Sequence, residues 1–540
     1  MQNNAVLGLY LSKESIMFFS RSTVLVLSGL LLLTACQSTT SRETSALPTT
    51  PAPTQLTGKQ LSQQYCGSCH QYPAPSLLDK ASWQWGVLPQ MALRMGLSDK
   101  RMNALTNFGD TDELTRILEA NVLPETPMLH PADWQKIVAF YTAEAPDNPL
   151  PQAAHAPLLT KLPLFRARAS VRAIDGFVTL LTYDSLTNRI WAGDGRSQIY
   201  ALDRRLQRVD SLRLGSPPTD RRTNADGSVD WLTVGVLNPN DKRSGAWTRL
   251  ARNGQDPTVR LRDLQRPVQV TMADLNRDGR DDVVVCQFGH YLGKLTWHER
   301  LPQTDASGES YREHVLDTAP GTRLAIIHDV DRDGWPDVLA LLTQGDEQVA
   351  VYHNLRNGSF RKETVLRFPS VYGSSYLELT DMDRDGDPDL VYTNGDNADY
   401  SPILKRYHGV RVFLNDGRFR FRQAWFYPMH GATQTVVRDF DQDGDADIAA
   451  IAHFPDFAQR PNAGFVYFEN KGDLTFTPRT FPTANRGRWL RMTTGDVDQD
   501  GDEDILLGSF FRPATPNHAD LMTHWRKPGA GIMLLENRLK

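Results

Sequence analysis

The sequence predicts a small all-α domain followed by a large all-β domain, a seven-bladed propeller built from repeats with acidic loops. Five nine-residue acidic segments begin at Asp274, Asp329, Asp381, Asp439 and Asp496, so their starts are 55, 52, 58 and 57 residues apart. A period of this size, with about four short strands per unit, is typical of propellers. Before Asp147, the segment from Pro131 to Tyr141 shows helical periodicity instead.

Composition excludes several classes of protein. Of the 540 residues, 40% are hydrophobic and 23% are charged, which fits a folded chain that is neither disordered nor embedded in a membrane. The net charge is −5 and no cluster of Lys and Arg occurs, so we expect no nucleic-acid partner. The four cysteines, Cys36, Cys66, Cys69 and Cys286, do not form a disulfide framework, because three of them fall in motifs of other chemistry.

The N-terminal segment has the features of an export signal. After Met17 come Arg21, an apolar run over 24–33 and small residues before Cys36, and the run is too short to cross a bilayer. The segment Leu33 to Cys36 resembles the lipobox of bacterial lipoproteins. This implies a signal peptide over 1–36, acylation of Cys36, and a lipid-anchored location in the cell envelope, facing the periplasm or at the outer membrane. The alternative is an ordinary secretory signal.

The remaining boundaries follow from composition and pattern. Residues 37–55 are rich in Ser, Thr and Pro, which predicts an extended tether. We expect the helical domain over 56–147, a linker over 148–163 and the propeller over 164–540.

The helical domain contains the motif Cys66-Gly67-Ser68-Cys69-His70. Two thiols at this spacing can each form a thioether to a haem vinyl group, and the next imidazole then lies beneath the iron. The motif resembles the attachment site of class I c-type cytochromes, which implies covalently bound haem c. A redox CxxC motif would need a βαβ context and a zinc site would need a second ligand pair, and the sequence indicates neither.

The resemblance also implies a methionine ligand just before the last helix. Pro131, Trp134, Ile137, Val138 and Tyr141 form the apolar stripe of that helix. Met128 precedes it and is the predicted sixth ligand. The alternatives are Met91, Met95, Met102 and His130. Coordination by His and Met favours a raised reduction potential and electron transfer.

The propeller is predicted from strands around each acidic segment and from hairpin turns after them. Asn-Gly, Asp-Gly and Lys-Gly turns are typical of tight hairpins. Two earlier units, beginning near Val178 and Val229, have the strands without the acidic segment, which makes seven blades. The last unit ends after three strands. We therefore expect the segment near Phe165 to supply its fourth strand and close the ring.

Each acidic segment offers oxygen atoms at its first, third, fifth and ninth positions and Gly at its sixth, which suits a hard cation. The segments resemble the FG-GAP or VCBS repeats of integrin α-subunit propellers, which implies about five structural Ca²⁺ sites. The alternative is an acidic turn that holds no ion. The implied ligands are Asp274, Asn276, Asp278 and Asp282; Asp329, Asp331, Asp333 and Asp337; Asp381, Asp383, Asp385 and Asp389; Asp439, Asp441, Asp443 and Asp447; and Asp496, Asp498, Asp500 and Asp504.

The loops between second and third strands should lie on the opposite face of the propeller, and they are long and aromatic. Side chains that could surround this mouth are those of His290, Arg323, Tyr372, His408, His453, Arg488 and His524, and each has the alternative of an ordinary rim residue. Cys286 is interpreted as a small buried apolar residue.

Three functions fit these features. The first is a haem-binding electron-transfer lipoprotein, whose propeller binds a redox partner protein of the envelope or a carbohydrate or small-molecule ligand. The second is a quinoprotein-like dehydrogenase that reduces its own haem, and the third is an adhesion or glycan-binding module with a redox accessory domain. The sequence contains no nucleophile elbow, HExxH motif or phosphate loop, which favours an electron carrier over a stand-alone enzyme. We expect membrane contact through the lipid anchor only.

Overall fold

Of the five helices among the described residues, four lie before the propeller. They are α1 (Gly58–Cys66), α2 (Leu88–Arg94), α3 (Thr111–Glu119) and α4 (Pro131–Glu144); a π-helical segment (Ser82–Val87) precedes α2, α5 (Ala519–Trp525) lies within the propeller, and 3₁₀ turns span Pro75–Leu77, Pro461–Gly464 and Ala484–Arg486. The computed structural model describes residues 50–98, 110–169, 174–252, 254, 256–302, 309–397, 400–511 and 519–539. The predicted signal peptide, Cys36, most of the tether and Met102 lie outside these ranges.

Helix α1 crosses helix α4 at a glycine. A Cβ atom on Gly58 would lie 2.1 Å from the backbone oxygen of Lys136 and 2.8 Å from the Cβ of Phe140, so a larger residue would push the helices apart. A capping box starts α1, because the Thr57 hydroxyl and the Gln60 side chain each accept a hydrogen bond from the other's backbone N–H. Side chains of this segment form one buried cluster that includes Leu61, Trp83, Leu129, Ile137 and Tyr141.

The described residues from Phe165 onward contain seven four-stranded antiparallel sheets, which are the predicted blades. Blades 1 to 6 take four consecutive strands each. Blade 7 takes three strands from the last part of the chain, and its outer strand comes from the segment at Phe165. In this blade Phe165 lies opposite Asn537 and Ala169 opposite Met533, which confirms the predicted closure of the ring.

The strand bounds are as follows. Blades 1 to 3 contain β2 (Val178–Asp184), β3 (Arg189–Asp194), β4 (Gln198–Leu202), β5 (Arg208–Arg213), β6 (Pro218–Thr223), β7 (Val229–Thr233), β8 (Arg243–Leu250), β9 (Thr258–Gln265), β10 (Pro267–Ala273), β11 (Asp282–Gln287), β12 (Lys294–Arg300) and β13 (Tyr311–Asp317). Blades 4 and 5 contain β14 (Thr322–His328), β15 (Asp337–Leu342), β16 (Gln348–Asn354), β17 (Phe360–Arg367), β18 (Ser374–Thr380), β19 (Asp389–Asn394), β20 (Gly409–Asn415) and β21 (Phe421–Pro428). Blades 6 and 7 contain β22 (Ala432–Arg438), β23 (Asp447–Ala452), β24 (Phe465–Asn470), β25 (Phe476–Arg479), β26 (Trp489–Gly495), β27 (Asp504–Ser509), β28 (Ile532–Asn537) and β1 (Phe165–Ala169).

Apolar side chains between neighbouring blades form the core. Strands β11, β15, β19, β23 and β27 are buried along their whole length, whereas outer strands such as β17 are largely exposed. Polar side chains of the inner strands also join adjacent blades. Gln269 accepts a hydrogen bond from the backbone of Ala325 (3.0 Å), and Arg491 of blade 7 donates to the backbone oxygen of Thr179 of blade 1 (2.7 Å).

The predicted linker pairs with the outer strand of blade 6. The backbone N–H of Leu159 donates to the carbonyl of Pro478 (3.0 Å), and that of Thr480 donates to the carbonyl of Leu159 (2.8 Å). Within the described ranges, none of the helices combines the length and the apolar character needed to cross a membrane.

Candidate haem and metal sites

The cysteine motif lies where α1 ends. Cys66 is the last residue of the helix and is partly buried, and the Cys69 thiol is exposed in the following turn. Burial raises the pKa of the Cys66 thiol to about 11, against a hydrogen bond with Tyr141 that lowers it. Charge repulsion from Cys69 raises the same pKa further, so the two thiols lie close enough to interact electrostatically.

His70 is oriented by its neighbour. Its Nδ1 lies 3.1 Å from the carbonyl oxygen of Gln71, and a hydrogen bond there leaves Nε2 available to a metal. Burial lowers the pKa of His70, which favours the neutral imidazole that a metal requires. The carboxylate of Asp346 and the guanidinium of Arg367 act on the same pKa in opposite directions, which places the motif beside blade 4.

The candidate sixth ligands differ in accessibility. Met128 is 46% exposed, and its backbone N–H donates to the carbonyl of Met95 (3.0 Å). Met91 and Met95 pack against the buried helical cluster. The Nδ1 of His130 accepts a hydrogen bond from the backbone of Ala132 and caps α4. Met128 is therefore the most exposed methionine among the residues that the structure describes.

The helical segment packs on the propeller through loops of the face opposite the acidic segments. Tyr291 and Leu292 join a cluster with residues of α2 and α3, and Val371 and Tyr407 join the main helical cluster. Arg94 lies over the ring of Tyr291 at 5.0 Å. These loops therefore bind the chain's own helices.

Buried charges reinforce this contact. Glu113 is 3% exposed and accepts a hydrogen bond from the backbone of Asp241 (2.6 Å). The carboxylate of Asp241, which is fully buried, accepts hydrogen bonds from the backbone N–H groups of His290, Tyr291 and Leu292. One aspartate thus orders the loop that contacts the helices.

The other mouth residues divide into local groups. Tyr372 stacks on Tyr407 at 4.6 Å, and His408 is buried nearby with its pKa lowered by burial. Arg488 donates to the backbone oxygen of His453 (2.9 Å), and burial lowers the pKa of Arg488 to about 10. Arg323 lies 4.0 Å from Asp396, and His524 lies on α5. Cys286 is fully buried, as predicted.

The five acidic segments, called here the acidic loops of blades 3 to 7, each connect the first and second strands of a blade, as the sequence predicts. In four of them, carboxylate oxygens lie within 4.8 Å of one another. These groups are Asp329, Asp331 and Asp333; Asp381, Asp383 and Asp385; Asp439, Asp441 and Asp447; and Asp496, Asp498 and Asp500. In the acidic loop of blade 3, Asp278 pairs with Arg280.

In the acidic loops, burial and the charge of neighbouring carboxylates disfavour the ionised form of individual aspartates. Burial, followed by the charge of Asp500, raises the pKa of Asp498. The Oδ1 atom of Asp498 is buried and has no hydrogen-bond partner within the described residues. Burial and the charge of Asp443 likewise raise the pKa of Asp441. These oxygens fit a bound cation, which would offset both the burial and the repulsion.

The ninth residue of every acidic loop is buried and accepts two backbone hydrogen bonds. Asp389, for example, accepts from the N–H groups of Met382 and Asn415, each at 2.8 Å. The same pattern holds for Asp282, Asp337, Asp447 and Asp504. Burial raises the pKa of Asp504 to about 7 despite these bonds. The ninth position therefore joins the loop to the third strand of its blade.

Sequence reasoning missed two sets of residues. The first set donates a backbone hydrogen bond to the ninth loop residue, and in four blades it is an asparagine. The recurrence of this asparagine before the hairpin turn could have revealed it in the sequence. The four residues are Asn354, Asn415, Asn470 and Asn537. The fourth loop residue has a positive φ in all five acidic loops and contacts the next loop in four. These are Arg277, Arg332, Arg384, Gln442 and Gln499.

Comparison with known proteins identifies one repeat family in part of the chain. Residues 329–392 match the profile of the FG-GAP-like repeat. No curated protein matches the chain. Similar solved structures include the Neurospora crassa Pan2 WD40 domain, with 12% identity, 70% of this chain and 97% of that chain covered, and a TM-score of 0.43. Another is the Myceliophteria thermophila Cps50 (Swd1) β-propeller domain, with 10% identity, 69% and 100% covered, and a TM-score of 0.40. The chain contains an FG-GAP-like repeat within a seven-bladed β-propeller.

Proposed function

We propose that this protein transfers electrons through a haem held by Cys66, Cys69 and His70, on a helical unit that the propeller supports. The observation that carries the proposal is the orientation of His70, whose Nδ1 faces the carbonyl of Gln71 so that Nε2 is available to iron. Haem bound in this way would exchange single electrons.

The surrounding residues have separable roles in this proposal. Tyr141 donates its hydroxyl to the carbonyl of Pro73 (2.7 Å) and hydrogen-bonds to Cys66, so it positions the end of α1. Trp83 packs on Tyr141 with ring centroids 4.5 Å apart and excludes water behind the motif. The exposed thioether of Met128 would complete the coordination of the iron. Cys36 would hold the protein at the envelope membrane through its lipid.

The propeller serves as a support in this proposal. Its long loops contact α2 and α3, and the parallel bridge between Gln71 and Pro369 brings the haem motif to the rim of blade 4. A redox partner protein would then meet the exposed side of the motif, where the Cys69 thiol lies. This arrangement favours electron transfer over catalysis or glycan binding at the mouth.

The acidic loops have a structural role in this proposal, as Ca²⁺ sites of the propeller. Removal of Ca²⁺ with EDTA should lower the melting temperature, because a cation bound to the native state stabilises it by mass action. When the free Ca²⁺ concentration is 100 times the dissociation constant of a site, binding at that site adds about 2.7 kcal/mol to the free energy of unfolding. An unchanged melting temperature after exhaustive removal would contradict the calcium role.

The haem proposal is tested with protein produced by cells that mature c-type cytochromes. The expected product keeps its pigment through acid-acetone extraction and is reduced by an added electron donor. The Cys66→Ser/Cys69→Ser variant should lose its pigment, whereas Cys286→Ser, a matched control in the buried strand β11, should keep it. Colourless wild-type protein, or pigment that survives in the double variant, would contradict covalent attachment.

A further inference from the structure

The acidic loop of blade 4 differs from the others by a histidine. The residue before the strand-ending asparagine is His353 in blade 4, and its counterparts are Leu414, Glu469 and Glu536 in blades 5 to 7. His353 is 9% exposed, and its Nδ1 lies 4.0 Å from an oxygen of Asp331 and 4.0 Å from an oxygen of Asp337. A nitrogen donor therefore faces two carboxylates of this loop.

The imidazole is held in place from its other side. Its Nε2 lies 3.1 Å from Glu363 on the neighbouring strand, while Nδ1 is buried and lacks a hydrogen-bond partner among the residues that the structure describes. A proton on Nε2, donated to Glu363, leaves the Nδ1 lone pair directed at the two aspartates. Metal-binding histidines have this arrangement, in which a carboxylate orients the ring through the nitrogen that does not bind the metal.

We propose that Nδ1 of His353, with Asp331 and Asp337, binds one zinc-class divalent metal ion in the acidic loop of blade 4. The inference rests on the proposed metal-binding role of the acidic loops and changes the kind of ion expected in one of them. Imidazole nitrogen suits zinc and related transition metals, whereas Ca²⁺ prefers oxygen ligands alone.

The geometry allows this ion after a small adjustment. Tetrahedral zinc with bonds of ~2.0–2.1 Å places its donors roughly 3.4 Å apart. The three donor atoms lie within 4.8 Å of one another, and Asp331 is exposed enough to move. Asp333, in contrast, pairs with Arg356, and so the fifth loop position already has a cationic partner.

A cavity gives access to the site. It has a volume of about 270 Å³, lies between blades 4 and 5, and is lined by Asp331, His353, Glu363 and Phe419 among others. A solvent molecule in this cavity would supply the remaining ligand of a four-coordinate ion. Arg332 also lines the cavity, and its guanidinium pairs with Asp387 of the next loop.

Zinc binding by the full-length protein in excess Ca²⁺ tests the proposal. After equilibrium dialysis, elemental analysis should find one Zn²⁺ per wild-type chain. His353→Leu, which copies Leu414 of blade 5, should weaken Zn²⁺ binding at least ~10-fold, and Glu363→Gln should weaken it ~10–100-fold. His314→Leu is the matched control, since His314 also contacts a glutamate, Glu299 (2.9 Å), but stacks on Trp297.

Equal zinc content in the wild type and His353→Leu would overturn the proposal. Asp331→Asn, at a half-exposed side chain, gives a second variant that should also lose zinc. Calcium-dependent melting of His353→Leu reports separately on the other acidic loops. Unchanged zinc content in His353→Leu, with calcium-dependent melting intact, would contradict the zinc proposal alone. Zinc binding by the wild type without any calcium-dependent melting would contradict the calcium proposal alone.

Discussion

Arg116 of helix α3 donates a hydrogen bond of 2.7 Å to the backbone carbonyl of Asp241, a fully buried propeller residue. The N–H of Asp241 donates to Glu113 one turn earlier on the same helix, so both backbone groups of one propeller residue bind α3. Because buried backbone groups need partners, this pair of contacts sets the position of the helix on the mouth.

Removal of the Glu113 carboxylate should loosen the helical unit. In Glu113→Ala the buried N–H of Asp241 loses its partner, at a cost of about 1–3 kcal/mol. We expect faster hydrogen exchange in α3 and in the loop around Tyr291, measured by mass spectrometry.

Glu119→Ala is the matched control, because Glu119 is an exposed glutamate at the end of the same helix. Equal exchange in both variants would show that Glu113 does not hold the interface.

Met128→Ala should change the spectrum of the matured protein. If the Met128 sulfur binds the iron, its removal abolishes the weak iron–sulfur charge-transfer band at the red end of the visible spectrum. Met91→Ala is the control, since Met91 packs in the helical cluster and should leave the band in place. A band that persists in Met128→Ala would transfer the ligand role to another residue.

Substitutions at the third and ninth positions of the acidic loop in blade 5 should have different effects on thermal stability. Asp389→Ala removes the acceptor of two buried backbone N–H groups, and each unsatisfied group costs about 1–3 kcal/mol of folding stability. This variant should therefore be less stable both with and without Ca²⁺. Asp383→Ala changes an exposed carboxylate and should reduce only the stabilisation that Ca²⁺ provides. Thermal unfolding in Ca²⁺ and in EDTA measures both effects.

A loss of stability in Asp389→Ala that disappears in EDTA would contradict this distinction. The ninth residue would then act through the cation and not through the strand-ending Asn415.

Glu347 should make the stability of the propeller depend on pH. Burial raises its pKa to about 7 from the ordinary 4.5, although Ser374, Gly373 and Lys405 lower it. A carboxyl group with a raised native pKa favours folding while it is protonated, so its contribution is complete below pH 4.5 and is lost as the pH rises through about 7. The free energy of unfolding falls by about 3 kcal/mol at most over this pH range.

Urea unfolding of the wild type and Glu347→Gln in saturating Ca²⁺ measures this contribution. Gln also misplaces a donor near the N–H of Ser374, so the variant will be less stable overall, but the difference between the two proteins should shrink from about pH 5 to about pH 8. A constant difference across this range would contradict a raised pKa.

The sequence alone determined the features that depend on local spacing. The period of the acidic loops predicted the blades, the short last unit predicted that Phe165 would pair across the ring, and the Gly at the sixth loop position indicated a sharp turn. These predictions succeed because strand alternation and turn chemistry are set by the backbone within a few residues.

Only the tertiary structure decided which distant groups meet. Asp241 lies 125 residues after Arg116, and nothing in its local sequence indicates that it binds a helix. His353 is an ordinary strand residue until the fold brings it beside Asp331 and Asp337, and the ninth loop aspartates join strands that the acidic pattern alone does not reveal. Such contacts depend on how blades and helices pack, and packing is a property of the whole chain.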